Sequence, residues 1–136
     1  MILLAGCASS QDDPNAPSVT IHLTPYDSSS NAYTYNGPVA VKFELSIANT
    51  TKDPVTLNRI EIRTIGSGAY TIQPISTPIN VVVAPGQGKA MPISVWGYAR
   101  GGRLSSEEPV TVRGTAYLTG PQGAFVKLFT EYITQQ

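Results

Sequence analysis

The sequence predicts an all-β protein, a single antiparallel β-sandwich of about seven to eight strands. Three observations predict it. The 136 residues include 12 Gly, 11 Pro and seven Tyr, a supply of turn formers and strand-favouring aromatics. Several segments alternate apolar and polar residues with the two-residue period of a half-buried strand, and none carries the 3.6-residue apolar stripe of a helix. Turn clusters separate these segments at the close intervals of a sandwich. With 41% apolar residues, a chain of this length makes one domain in preference to two marginal ones.

Taken in order, Val19-Thr20-Ile21-His22-Leu23 alternates and stops at Pro25. Ser28-Ser29-Ser30-Asn31 reads as a loop between strands, and Asn36-Gly37 as a turn. Val41-Lys42-Phe43-Glu44-Leu45-Ser46-Ile47 alternates throughout and ends in the turn-rich run Asn49–Pro54. Val55-Thr56-Leu57 restarts the pattern, but Ile60 and Ile62 are out of phase with it, so one extra residue at Asn58-Arg59 predicts a β-bulge. Ala69–Ile72 is a short strand, and Ile79–Val83 a β-branched one closed by Pro85-Gly86. Met91–Tyr98 follows, with Pro92 marking an edge position or a strand start. Val110–Leu118 alternates with small residues inward, and Gly120-Pro121-Gln122-Gly123 turns into a last strand, Ala124–Thr134. Serial strands without crossover helices cannot build a parallel sheet, so two stacked antiparallel sheets remain.

Nine Lys and Arg balance nine Asp and Glu, and charged residues make up only 13%. That composition excludes a basic nucleic-acid binder and provides no long-range field for a charged substrate. One His and one Cys leave little catalytic or metal-binding material. His22 lies on an alternating strand and points away from Ile21 and Leu23, toward solvent. Asp12-Asp13 and Glu107-Glu108 are adjacent pairs, which diverge on an extended chain and make no metal site. Glu44 and Glu61 could face each other across neighbouring strands, but on the solvated face, where cross-strand charge pairing with Lys42 or Arg63 is the expected use. Pro85-Gly86-Gln87-Gly88-Lys89 precedes a strand, so it provides no helix N-terminus for phosphate and reads as a hairpin turn. Asn49-Thr50-Thr51 matches a glycosylation acceptor but is expected to be an ordinary turn. No catalytic residue, cofactor or metal is expected.

Leu4-Ala5-Gly6-Cys7 resembles the lipobox of bacterial lipoproteins. The resemblance implies cleavage before Cys7, acylation of its sulfur and anchorage to the membrane through fatty chains. Residues 1–6 are short for a signal peptide and lack Lys and Arg, so they read as its truncated remnant. Residues 7–18 are then the lipidated Cys and a polar, Pro-containing linker, and 19–136 the sandwich. Ala8 rather than Asp after Cys7 implies, by the same resemblance, the outer membrane of the cell envelope, on its periplasmic side. From Phe43 onward, the strand leading into Ile47-Ala48-Asn49-Thr50, the segment Asp53–Ile60, the Pro85-Gly86 turn and the late strand Val112–Ala116 resemble the LEA14/WHy group. That resemblance implies an Ig-like or fibronectin-III-like sandwich and brings no catalytic residues.

Two patches combine residue types enriched at binding hot spots. One is Trp96, Tyr98, Arg100 and Arg103, running off a strand into Gly101-Gly102. The other is Tyr33 and Tyr35. The competing assignments are a core plug for Trp96 and cross-strand packing at a sheet edge for the tyrosines. The expected function is a non-catalytic, membrane-anchored binding or structural module with an envelope protein or glycan as partner. The alternative is a small apolar or lipid ligand held between the sheets. That alternative needs an unfilled interior, whereas Phe43, Leu45, Ile47, Trp96 and Phe125 predict a filled one. An enzyme is the least supported reading.

Overall fold

Period-two alternation becomes strand in seven places, and a two-residue strand joins them. The computed structural model describes residues 18–25, 36–66, 68–100 and 110–133, without the side chain of Arg100. The strands are β1 (Val19–Pro25), β2 (Asn36–Asn49), β3 (Val55–Ile65), β4 (Tyr70–Thr71), β5 (Ile75–Val83), β6 (Gly88–Arg100), β7 (Val110–Gly120) and β8 (Gly123–Ile133). They form two antiparallel sheets, β1-β2-β6-β4 and β5-β3-β7-β8. Neighbours β1-β2-β6 in one sheet and β3-β7-β8 in the other follow the A-B-E and C-F-G order of the immunoglobulin sandwich, with β5 added outside β3.

The sheets hold each other through their inward residues. Val41, Phe43, Leu45 and Ile47 of β2 face Val55, Leu57, Ile60 and Ile62 of β3 in one buried cluster, joined by Val112, Ala116 and Leu118 of β7. Each large apolar side chain buried here stabilises the fold by about 1.5–3 kcal/mol. Trp96 is not among them. It is 68% exposed, so it does not fill the interior in the way the sequence led us to expect, whereas Phe125, opposite the buried Leu118, is half-buried and packs against the core. The reason is the phase of β6: Ile93, Val95 and Ala99 are buried, which turns Trp96 and Tyr98 outward. The inward role passes to Phe129, whose ring covers Gly114 of β7.

The bulge lies where the phase slip places it. Leu57 pairs with Leu118 and Arg59 with Tyr117, so Asn58 is extra relative to β7. On the other side Arg59 pairs with Pro78 and Leu57 with Val81, so β5 carries one residue more again, with Asn80 at φ 58°. Asn tolerates that left-handed conformation better than most residues. The irregularity therefore widens from β7 through β3 to β5, and it restores Ile60 and Ile62 to the core.

Four local expectations are corrected. Asn36-Gly37 is not a turn but the start of β2, opposite Arg100 and Ala99. Ala84–Gln87 does turn, closed by a Gln87 N–H to Ala84 C=O hydrogen bond of 3.1 Å with Gly86 at φ 71°. It links β5 to β6 in the other sheet, however, so it is a corner and not a hairpin. Glu44 and Glu61 lie on different sheets and do not face each other, and the His22–Glu131 contact is the one ion pair among the described residues. Asn49 is no ordinary turn residue. It is buried, its Nδ2 donates to Asp53 O (2.8 Å) and Val83 O (3.0 Å), and its Oδ1 accepts from Thr51 N (3.0 Å) and Thr51 Oγ1 (2.6 Å).

The Pro92 expectation resolves in an instructive way. Pro92 sits inside β6, opposite Glu44 of β2. On its other side β6 is paired only at Tyr98 and Ala99, by the two-residue β4. Locally Pro92 lies on an edge, where a missing N–H is tolerated. At the opposite margin of the sandwich Glu131 of β8 reaches β1. Its Oε2 accepts from the Leu23 N–H (3.2 Å) and lies 3.0 Å from His22 Nδ1. His22 remains largely solvent-exposed, as expected.

Two outcomes follow. Asn49→Ala strands the buried Val83 carbonyl and should cost about 2–4 kcal/mol, measured by urea denaturation, whereas Thr50→Ala nearby should cost under about 1 kcal/mol. A Cβ on Gly114 would stand 2.1 Å from Phe129 Cζ. Gly114→Ala should therefore cost about 2–3 kcal/mol, and adding Phe129→Leu should recover part of that loss in a double-mutant cycle.

Candidate functional site

Alternation along β6 places Trp96 and Tyr98 two residues apart on one face, about 7 Å along a strand. Trp96 is 68% and Tyr98 52% exposed, on the outer face of the β1-β2-β6-β4 sheet. Their cross-strand neighbours on β2 are Ala40 and Pro38. On the far side, Thr71 pairs with Tyr98, and Thr71 and Gln73 line a shallow groove with Trp96, Gly97 and Tyr98.

The backbone beneath the rings is held tightly. A Cβ on Gly97 would lie 2.8 Å from the Thr71 carbonyl oxygen and 3.1 Å from Val41 Cγ2, so only glycine lets β4 approach β6 this closely. β4 is in turn tied to β3: the Ile72 N–H donates to Thr64 Oγ1 (3.0 Å) and the Thr64 N–H to Ile72 O (3.1 Å). The aromatic pair thus stands on a stretch of the β1-β2-β6-β4 sheet fastened to the β5-β3-β7-β8 sheet. Such a surface can stack on a flat apolar face and offer the Tyr98 hydroxyl and Gln73 amide as hydrogen-bonding groups.

Of the residues singled out from the sequence, Trp96 and Tyr98 come together. Arg100 closes β6 opposite Asn36. Cys7, Tyr33, Tyr35 and Arg103 lie outside the described residues. Thr71 and Gln73 were not legible as part of the groove, because a two-residue strand such as β4 carries too little alternation to be placed against β6.

The outer face of the β5-β3-β7-β8 sheet carries a second set of polar side chains. Arg59 stacks over the Tyr117 ring at 3.6 Å and donates through Nη1 to Ser76 Oγ (3.0 Å). The Tyr117 hydroxyl lies 3.4 Å from Glu61 Oε1, and Asn58 Nδ2 donates to Thr119 Oγ1 (2.8 Å). Arg63 and Arg113 oppose each other directly in the β3–β7 register. Among the described residues no three His, Cys, Asp or Glu side chains are grouped to hold a metal ion.

No family model matches the chain, and no curated protein does. Solved structures share its shape. A Northeast Structural Genomics Consortium target solved by X-ray crystallography superposes with a TM-score of 0.58 at 9% identity, covering 88% of this chain and 87% of that one. A protein from Archaeoglobus fulgidus gives 0.49 at 11% identity, over 85% of this chain and 91% of that one. A β-glucuronidase from Bacteroides uniformis gives 0.49 at 12% identity, with 86% of this chain covering 13% of that enzyme. The first of these likenesses supports the fold, a single β-sandwich, and nothing about chemistry.

Proposed function

We propose that this chain is a non-catalytic binding module of a bacterial envelope, anchored by a lipid on Cys7, that presents Trp96 and Tyr98 to a protein or glycan partner. The observation that carries the reading is the exposure of a tryptophan and a tyrosine, side by side, on a strand the fold holds rigid. A large aromatic left in water at a fixed position does little for folding and much for recognition. The resemblance to the LEA14/WHy group, which brings no catalytic residues, supports the same class. The alternative, a ligand between the sheets, finds no support in an interior where Phe129 already fills the space over Gly114.

Ser18, where the described sandwich begins, and the aromatic pair lie toward opposite ends of it. Ser18 precedes β1 at the Asn49 end, where Thr50 N–H donates to Ser18 O (3.2 Å). Trp96 lies eight residues along β6 from Gly88, roughly 27 Å away at the rise of a strand. A module tethered through its N-terminus therefore carries its contact face away from the membrane.

Trp96 is the sole tryptophan of the chain, so intrinsic fluorescence reports on this face alone. The native protein should emit as water-exposed indole and be quenched by acrylamide nearly as strongly as the urea-unfolded chain. A blue-shifted, protected emission would place the ring elsewhere and end this reading of the face. Trp96→Ala should leave thermal stability within about 0.5 kcal/mol of wild type. It should also weaken binding to the cognate envelope protein or glycan about thirtyfold, the loss of a 2 kcal/mol hot spot. Expressed from the complete gene, wild type should enter the detergent phase on phase partitioning and Cys7→Ala should stay in the aqueous phase.

A further inference from the structure

We propose that Arg63 and Arg113 form a second binding site, for a phosphate group, on the outer face of the β5-β3-β7-β8 sheet. The two arginines are register partners on adjacent central strands, both exposed and on the same face. Directly opposed like charges destabilise a sheet unless something neutralises them. Nothing in the described protein does. No carboxylate among the described residues lies within ion-pair distance of either guanidinium, since the His22–Glu131 pair is the one found there.

The nearest candidate, Glu61, stands one row away and is turned toward the Tyr117 hydroxyl. It stands along β3 between Arg59 and Arg63, two residues from each. Three guanidiniums against one carboxylate leave a local excess of about two positive charges. The site is also concave. Arg63, Arg113, Glu61, Ile62 and Thr115 line a depression walled by Pro74 from the β4–β5 connection. A single planar carboxylate is satisfied by one guanidinium in the bidentate mode. Two guanidiniums facing each other, with the Thr115 hydroxyl beside them, suit a tetrahedral dianion with oxygens to spare for both.

The pairing depends on the bulge. Were Asn58 paired with Tyr117 instead of bulged out, β7 would present Arg113 opposite Ile62, and Arg63 would turn toward the core. The same irregularity that returns Ile60 and Ile62 to the interior brings the two arginines together.

The test is a titration of the full chain with inorganic phosphate at low ionic strength, followed by amide chemical shifts. Wild type should show saturable shifts confined to Arg63, Arg113, Thr115 and their neighbours. Arg63→Gln and Arg113→Gln should each weaken the apparent affinity about tenfold, and Arg113→Lys by less, since a lysine keeps the charge and loses the fork. Glu61→Gln should tighten it, and Lys42→Gln on the other sheet should leave it unchanged. Thermal melts verify that the arginine variants are folded. Flotation with phosphatidylglycerol against phosphatidylcholine vesicles then assigns the source. Arginine-dependent flotation with the anionic vesicles marks a lipid headgroup, and phosphate binding without flotation marks a soluble phosphoester. Diffuse, unsaturable shifts, or equal affinity in Arg113→Gln and wild type, would overturn the proposal. Neither result bears on Trp96, which lies on the other sheet.

Discussion

The side-chain amide of Asn49 joins the two sheets at one end of the molecule. It belongs to the last residue of β2 in one sheet, and its Nδ2 reaches the Val83 carbonyl at the end of β5 in the other. The same amide closes the turn that begins β3, through Asp53 and Thr51. Its own backbone N–H donates to Gln87 O, at the corner from which β6 departs (2.8 Å). Four strand ends are thereby fixed around one uncharged group. An amide suits this position because it donates and accepts at once, whereas a carboxylate would accept only and meet carbonyl oxygens. The burial that satisfies it also removes Asn49 from any glycosylation chemistry its sequence pattern invites.

With that end fixed, the rest of the architecture follows from phase. Along β2 every second residue is buried from Gly37 to Asn49, so the strand has one face for the core and one for water. β6 copies that division in register, which decides that Trp96 and Tyr98 belong to the outside. On the other sheet the division would fail at Asn58 were it not for the bulge. Surface chemistry on both faces is thus a by-product of how the interior was aligned.

That is also the measure of what could be read in advance. The β2 alternation, the bulge at Asn58-Arg59, the inward Gly114 and Ala116 of β7 and the turn at Pro121-Gln122 were all legible, because each is a local pattern with a local cause. Which strands share a sheet was not. Glu44 and Glu61 looked like neighbours, and the Pro85-Gly86 turn like a hairpin, because sequence order does not reveal that the chain changes sheets between β2 and β3 and again between β5 and β6. The placement of Trp96 turned on a smaller matter. Its strand has apolar residues in both phases, and only pairing with β2 chose between them. The opposition of Arg63 and Arg113 needed both the bulge and the β3–β7 pairing, so it could not be seen from either segment alone.

The margins of the sandwich carry one more consequence. β1 and β8 face each other across Glu131, which occupies the Leu23 N–H that an incoming strand would need. β5, the outer strand of its sheet, contains Pro78 and the left-handed Asn80, and the unpaired length of β6 contains Pro92. The edges of β1 and β5 and the unpaired length of β6 are thus blunted against a foreign strand. Copies crowded side by side on a surface would have no ready template for knitting their sheets into fibrils, and a protein held at high local density can remain a collection of separate molecules.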